Sequence, residues 1–351
     1  MDDDVNFLRR MFKSAEAQRV FAGVYMTGIL PIKKYKTESA LNNFREYSMV
    51  RPAAMARFFG FTREEVRALC DKYDMSFDEM VKWYDGYKIG SEPSMFNPHS
   101  VMQALDDHKC HSYWAATGSF EAVRQYIQMD YEGLKGDIVQ MLGGGRCRVK
   151  TTYFANDPNI ILSKDDVLTL LIHLGYLAYD EDEGKCYIPN REVAGEMEGA
   201  VENNNWREVI DAINDSEELL DNLLEGEAEA VAAGVEKVHE DSASMLKYNN
   251  ENALSCVINL AFYAARNKYK LVRELPTGKG FADVVFVPWR NVDLPAIVVE
   301  LKWKQGAQTA LNQIRERNYP ASLRDYVGEV ILCGISYDPT SKEHTCVIER
   351  A

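Results

Sequence analysis

The spacing of apolar and polar positions predicts a mainly helical chain up to about residue 240 and a mixed one after it. Residues 5–20 read as a polar helix, and the run from Phe21 to Ile29 as a buried strand ending at Thr27-Gly28. Two capping boxes, Thr62-x-x-Glu65 and Ser76-x-x-Glu79, each open a helix. The second helix runs into Trp83-Tyr84-Asp85-Gly86-Tyr87, where Gly86 is expected to take the left-handed C-cap. Asn97 before Pro98 is an N-cap with proline in the first turn. Residues 112–142 read as helical, with Tyr113 and Trp114 in the core. Ser163-x-x-Asp166 caps a short apolar helix stopped by Gly175, and 176–189 reads as a hairpin around Asp180-Glu181-Asp182-Glu183-Gly184. Helix followed by hairpin suggests a winged helix. His173 has no ligand partner at helical spacing and is expected in the core.

From Glu192 to Asp241 the pattern is helical, rich in Ala, Glu and Leu, with weak interruptions that place a linker near 226–246. Leu254, Val257, Ile258, Ala261, Phe262 and Ala265 then form a stripe of period 3.6, and Glu251 extends it. Gly278–Val287 and Ala296–Trp303 are short strands rich in β-branched residues. Ala307, Ala310, Leu311 and Ile314 mark the buried face of a helix expected to stop at Tyr319-Pro320. Val330–Ile335 and Thr345–Ile348, joined through Asp338-Pro339, complete a sheet. The expected fold is an α/β C-terminal domain with a central mixed sheet flanked by helices. It is preceded by a mainly α-helical region with a winged-helix-like hairpin, the boundaries being 1–125, 126–240 and 246–351.

Composition narrows the class. The chain has 351 residues, room for two or three domains. No apolar run approaches the roughly 20 residues of a membrane span. The acidic start, Met1-Asp2-Asp3-Asp4, lacks the features of a signal peptide. Seven scattered cysteines without a C-x-x-C pair argue against a disulfide framework or zinc site, and a cytoplasmic location is expected. The net charge of −14 disfavours nucleic acid, yet it is unevenly spread. Residues 180–242 carry 20 Asp or Glu against 4 Lys or Arg, whereas 245–351 carry 11 against 14. The last hundred residues are mildly basic and compatible with phosphate contact, and the acidic helices suit a protein partner.

Charge sits where those two strands should be apolar. Alternation puts Asp283 with Val285 and Val287, and Glu300 and Lys302 with Ala296 and Val298. A buried carboxylate costs several kcal/mol unless it is paired or coordinates a metal. Two carboxylates and an ammonium on neighbouring strands suit a hard cation and an activated water. The alternative is a solvated edge pair with Asp283 at a hairpin end.

Gly280-x-x-Asp283 followed by Glu300-x-Lys302 resembles the core of the PD-(D/E)XK nuclease superfamily. The longer run Glu274–Asp283 with Ile297–Trp303 is similar to one bacterial branch, in which such a domain follows an AAA-ATPase-like domain. Trp83-Tyr84-Asp85-Gly86-Tyr87 with Phe96-Asn97-Pro98 is similar to a hallmark of the same ATPase-like family, and Thr27 falls at its γ-phosphate-sensing place. No G-x-x-x-x-G-K-[ST] loop occurs: Gly143-Gly144-Gly145 lacks the following Lys, and Lys279 leads into a strand. Relative to that family the chain reads as beginning downstream of both nucleotide motifs, as a truncated or degenerate member without autonomous ATP hydrolysis.

The resemblance implies a restriction-endonuclease-like fold and Mg²⁺-dependent hydrolysis of phosphodiester bonds, with DNA the expected polymer and Mn²⁺ an alternative ion. Asp283 and Glu300, with the Leu301 carbonyl, would hold the metal. Glu251 would help hold its water, and Lys302 would steer the nucleophile. Gln313 is placed on the following helix by analogy with relatives that carry Gln and Tyr four apart, whereas here Gln313 and Tyr319 are six apart. Arg315 and Arg317 are further candidates for phosphate contact. The competing reading is a non-catalytic nucleic-acid- or protein-binding module that keeps the fold.

Overall fold

The computed structural model describes residues 2–14, 17–30, 44–114, 127, 131–152, 154, 161–203, 206–242, 251–277, 280–289, 292–316, 326 and 328–351. Within these, the side chains of 2–6, 9, 18, 132, 202, 203, 242, 251–253, 273–277 and 280–283 lie outside the description. The chain divides into two compact units, Met1–Leu134 with Arg146–Ala194, and Lys135–Gly145 with Gly195–Ala351. No helix among the described residues is long and apolar enough to cross a membrane.

In the first unit α1 (Asp2–Lys13) and α2 (Ala17–Val20) come first. The expected strand over 21–29 is not formed: Phe21, Val24, Tyr25 and Ile29 are exposed, and the run pairs with no strand among the described residues. A buried strand needs neighbours to take its amides and carbonyls, and apolar content alone supplies none. Thr27 lies in this exposed segment.

β1 (Phe61–Thr62) leads into α3 (Arg63–Tyr73), whose capping box is complete: Glu65 N donates to Thr62 Oγ1, and Thr62 N to Glu65 Oε2 at 2.8 Å. Ser76 Oγ caps α4 (Phe77–Tyr84). Gly86 is not its C-cap. The helix closes on Asp85, in extended conformation, and Gly86 turns the chain at φ +108°. A Cβ on Gly86 would stand 2.0 Å from the Pro189 carbonyl oxygen, so close approach as well as backbone angle demands glycine.

β2 (Tyr87–Ile89) and β3 (Glu92–Phe96) complete a sheet in the order β1-β3-β2, and Asn97 Oδ1 caps α5 (Pro98–Asp107) by accepting from His99 N at 3.0 Å. These helices enclose Val66, Met80, Tyr84, Phe96, Val101 and Leu105. Of the helix expected over 112–142, residues 115–126 and 128–130 lie outside the described residues, 112–114 are not helical, 131–133 form a 3-10 turn, and α6 (Leu134–Leu142), which apart from Leu134 belongs to the second unit, is formed.

β4 (Cys147–Arg148) adds an unforeseen third strand to the foreseen hairpin of β5 (Ala178–Asp180) and β6 (Lys185–Tyr187). α7 (Lys164–His173), capped by Ser163, comes before that hairpin. The hairpin's acids are partly neutralised. Asp180 is buried and accepts from Lys88 Nζ at 2.7 Å and from an Arg146 guanidinium nitrogen at 3.1 Å, and Asp182 shares Lys88. His173 is buried and stacks on Phe154, a core histidine as expected. α8 (Arg191–Asn203) follows.

In the second unit α9 (Arg207–Glu225) ends at Gly226, in the left-handed conformation, and α10 (Ala228–Ser242) begins two residues later. The described part of the expected linker is therefore this helix. Its Val231, Val235 and Val238 are buried, and Gly234, read as an interruption, instead admits Leu219 of α9. α11 (Glu251–Ala261) buries the predicted stripe, and α12 (Ala265–Lys268) leads to the sheet.

That sheet consists of β7 (Tyr269–Thr277), β8 (Gly280–Pro288), β9 (Ala296–Trp303), β10 (Val330–Asp338) and β11 (Glu343–Arg350), in the order β11-β10-β9-β8-β7. Neighbours are antiparallel except β9 and β10, which are parallel and joined through α13 (Ala307–Glu316), as a parallel pair requires a crossover. The expected mixed α/β sheet is thus present. On one face Ala296 and Val298 pack with Val285, Leu332 and the Leu311 and Ile314 side chains of α13. On the other, Phe286, opposite Ile297, meets Phe262 and Tyr269. Both faces of β9 are covered, so it reads as an almost continuous buried run.

Candidate active site

Because β9 alternates, Glu300 and Lys302 emerge on the face covered by α13. Glu300 is 1% exposed. Lys302 Nζ donates to Glu300 Oε1 at 3.2 Å, and the Lys302 side chain is 12% exposed. Gln313 Nε2 donates to the same oxygen. The buried face of α13 is Ala307, Ala310, Leu311 and Ile314, as the spacing predicts, and Gln313 flanks it closely enough to reach the strand. An ion pair buried this far is not a solvated edge pair. Its desolvation, several kcal/mol per ion, is offset by contact with an ammonium and a further N–H donor.

Two side chains, 2 and 13 positions beyond Glu300 in the sequence, therefore converge on one of its carboxylate oxygens. Leu301 is buried beside them, opposite Ile335, with its side chain on the other face of the sheet, so only its carbonyl could serve the site. Asp283 belongs to β8 and Glu251 to α11, but both side chains lie outside the described residues, as do Lys279, Arg317 and Tyr319 altogether. Arg315 pairs with Glu349 of β11.

Sequence reasoning missed two neighbours. The β9–β10 register sets Gly334 beside Glu300 and Ser336 beside Lys302. Ser336 Oγ donates to the Gln305 carbonyl and so secures the turn that follows β9. The predicted strand stopped at Ile335, one residue short of this serine, because Ser336 and Asp338 break its apolar run.

Glu300 offers the hard oxygen donor that Mg²⁺ or Mn²⁺ prefers. Among the described residues no group of three or more His, Cys, Asp or Glu could hold a metal ion. The donor chemistry of Glu300 fits such an ion.

With this geometry in place, comparison with protein families shows that residues 249–346 match the PD-(D/E)XK nuclease superfamily. A domain of that superfamily occupies this stretch, which takes in α11, α12, α13, β7 to β10 and part of β11. No curated protein matches the chain.

Proposed function

We propose that the second unit is a metal-dependent nuclease that hydrolyses phosphodiester bonds, DNA being the favoured polymer. The observation that carries this reading is the buried Glu300 carboxylate held at Oε1 by Lys302 and Gln313. The β8–β9 register supports it: the pair Val284 opposite Val299 brings the two strands together one residue away from both Asp283 and Glu300 in sequence.

In this reading Asp283 and Glu300, with the Leu301 carbonyl, would hold Mg²⁺ or Mn²⁺, and Glu251 would help to hold its water. The ion, when bound, would neutralise phosphate charge and acidify water. Gln313 fixes the Glu300 carboxylate in one orientation. Lys302 places positive charge beside it and stabilises the charge that develops on the phosphate. The upstream region, similar to the ATPase-like domain that accompanies such nucleases in bacteria, is a companion without its own phosphate loop, and the acidic helices α9 and α10 suit a basic protein partner.

One observation favours a second reading. Lys302 and Gln313 both donate to Oε1 of Glu300, a pairing that would also keep a buried carboxylate in place in a module that binds nucleic acid or protein and does not cut. Cleavage of labelled single- and double-stranded DNA and RNA, with Mg²⁺, Mn²⁺ or chelator, separates the two. Metal-dependent cutting that disappears in Glu300→Gln and Asp283→Asn supports the nuclease. Cutting that survives both substitutions overturns the site, and binding without cutting favours the second reading.

A further inference from the structure

We propose that Gly334 is a positioning residue for Glu300: having no side chain, it lets α13 seat on β10 closely enough for Gln313 to reach the carboxylate. The inference rests on the reading of Glu300 as the centre of the site, and it adds a residue that touches neither substrate nor metal.

The register puts Gly334 directly beside Glu300 on the parallel neighbour strand, so both belong to the face that α13 covers. A Cβ at Gly334 would stand 2.4 Å from the Ala307 carbonyl oxygen, 2.9 Å from the Leu311 amide nitrogen and 3.1 Å from the Ala310 Cβ. The two shortest contacts are to helix backbone. No rotamer change relieves them, so α13 itself would have to retreat.

Gly334 is not among the glycines with positive φ, so the constraint is space and not backbone angle. Glycine inside a strand weakens it and often marks a close backbone approach, which is what the contacts to α13 are. Gln313 is two residues beyond Leu311 on the same helix, so a retreat that clears Leu311 carries Gln313 away from Glu300. A misplacement of about 1 Å in a catalytic constellation costs on the order of 100-fold.

A double-mutant cycle between Gly334→Ala and Gln313→Ala tests this, with two readouts: Mn²⁺-dependent cleavage, and the side-chain amide ¹⁵N resonance of Gln313 in the metal-free full chain. We expect Gly334→Ala to shift that resonance toward its solvent-exposed position. We also expect each single variant to lower turnover at least about tenfold with KM little changed, and the double variant to be no worse than either single one. Additive losses, or a Gly334→Ala protein with wild-type resonance and rate, overturn the proposal.

Should Gly334→Ala fail to fold, Ala310→Val presses on the same contact from the helix side. It should couple to Gln313 in the same way, and independence there also overturns the idea. If the wild-type chain cuts nothing, the nuclease reading fails, and the positioning role is then decided by the resonance alone: an unmoved signal refutes it.

Discussion

His239 Nδ1 of α10 lies 3.2 Å from His344 Nε2 of β11, and both imidazoles are buried. Tyr337 packs on each of them, Trp303 packs on Tyr337, and Glu236 is the charged neighbour, 3.8 Å from His344 Nδ1. Burial pushes both rings down to about 4; His239 adds to the effect on His344, and the opposing pull of Glu236 is too weak to reverse it. Two neutral rings can share one proton along their contact, whereas two imidazolium rings would set donor against donor.

The unfolded chain, with histidines near 6.5, takes up more protons than the folded one between that pH and about 4. Stability from this pair should be full above about pH 6.5 and fall as pH drops toward 4, by on the order of 2–3 kcal/mol per imidazole. Urea midpoints at pH 7.5, 5.5 and 4.5 check it. His239→Leu should flatten the slope, and an equally steep fall in that variant would refute the assignment.

The histidine pair also shows what a linear reading cannot reach, since 105 positions separate its members and neither sits in a motif. What could be read was periodic. The α11 stripe, the alternation of β9 and the buried face of α13 are local patterns, and together they brought Glu300 and Lys302 to one buried face. The strand expected over 21–29 failed because apolar content says nothing about available neighbours. The described part of the linker expected near 226–246 is helix instead, because Gly234, taken as a break, is a packing contact with Leu219. Gly334 was invisible for the same reason: a glycine in an apolar run does not announce which backbone lies over it.

Gly86 shows the same logic in the first unit and gives a second prediction. Its φ of +108° disfavours any side chain, and the Pro189 oxygen would lie 2.0 Å from a Cβ. The backbone strain alone costs about 1–3 kcal/mol, and the close contact adds to it. Gly86→Ala should therefore lower stability by more than about 2 kcal/mol in urea titration. A change under about 0.5 kcal/mol would mean that the turn relaxes freely.

Asp180 is the keystone of the acidic hairpin. Burial works to raise its pKa, but hydrogen bonds from Lys88 and the Glu183 amide, with the charges of Lys88 and Arg146, outweigh it and leave the carboxyl below its usual value. Its contribution to stability is present above the unfolded value of 3.8 and disappears as pH falls through the lower folded one. Asp180→Ala would leave Lys88 and Arg146 facing each other without their shared anion. At neutral pH the loss should be about 3 kcal/mol by denaturant titration, and a loss below about 1 kcal/mol would show that Asp182 and Glu183 substitute for it.

Lys302 makes the sharpest functional prediction, because it and Gln313 meet the same oxygen of Glu300 and yet differ in charge. Replacing Lys302 by Met keeps the length of the stem and removes the ammonium. Gln313 still orients the carboxylate, so Mn²⁺ half-saturation should stay within about threefold. Turnover should fall by about 100-fold, since positive charge beside the phosphate is what is missing in the transition state. Lys302→Arg should not restore it, because a planar fork does not occupy the place of a compact ammonium beside a buried carboxylate. Single-turnover cleavage across a Mn²⁺ titration measures both quantities. A variant that loses metal affinity and regains the full rate at saturating Mn²⁺ would move Lys302 from the chemistry to the metal site.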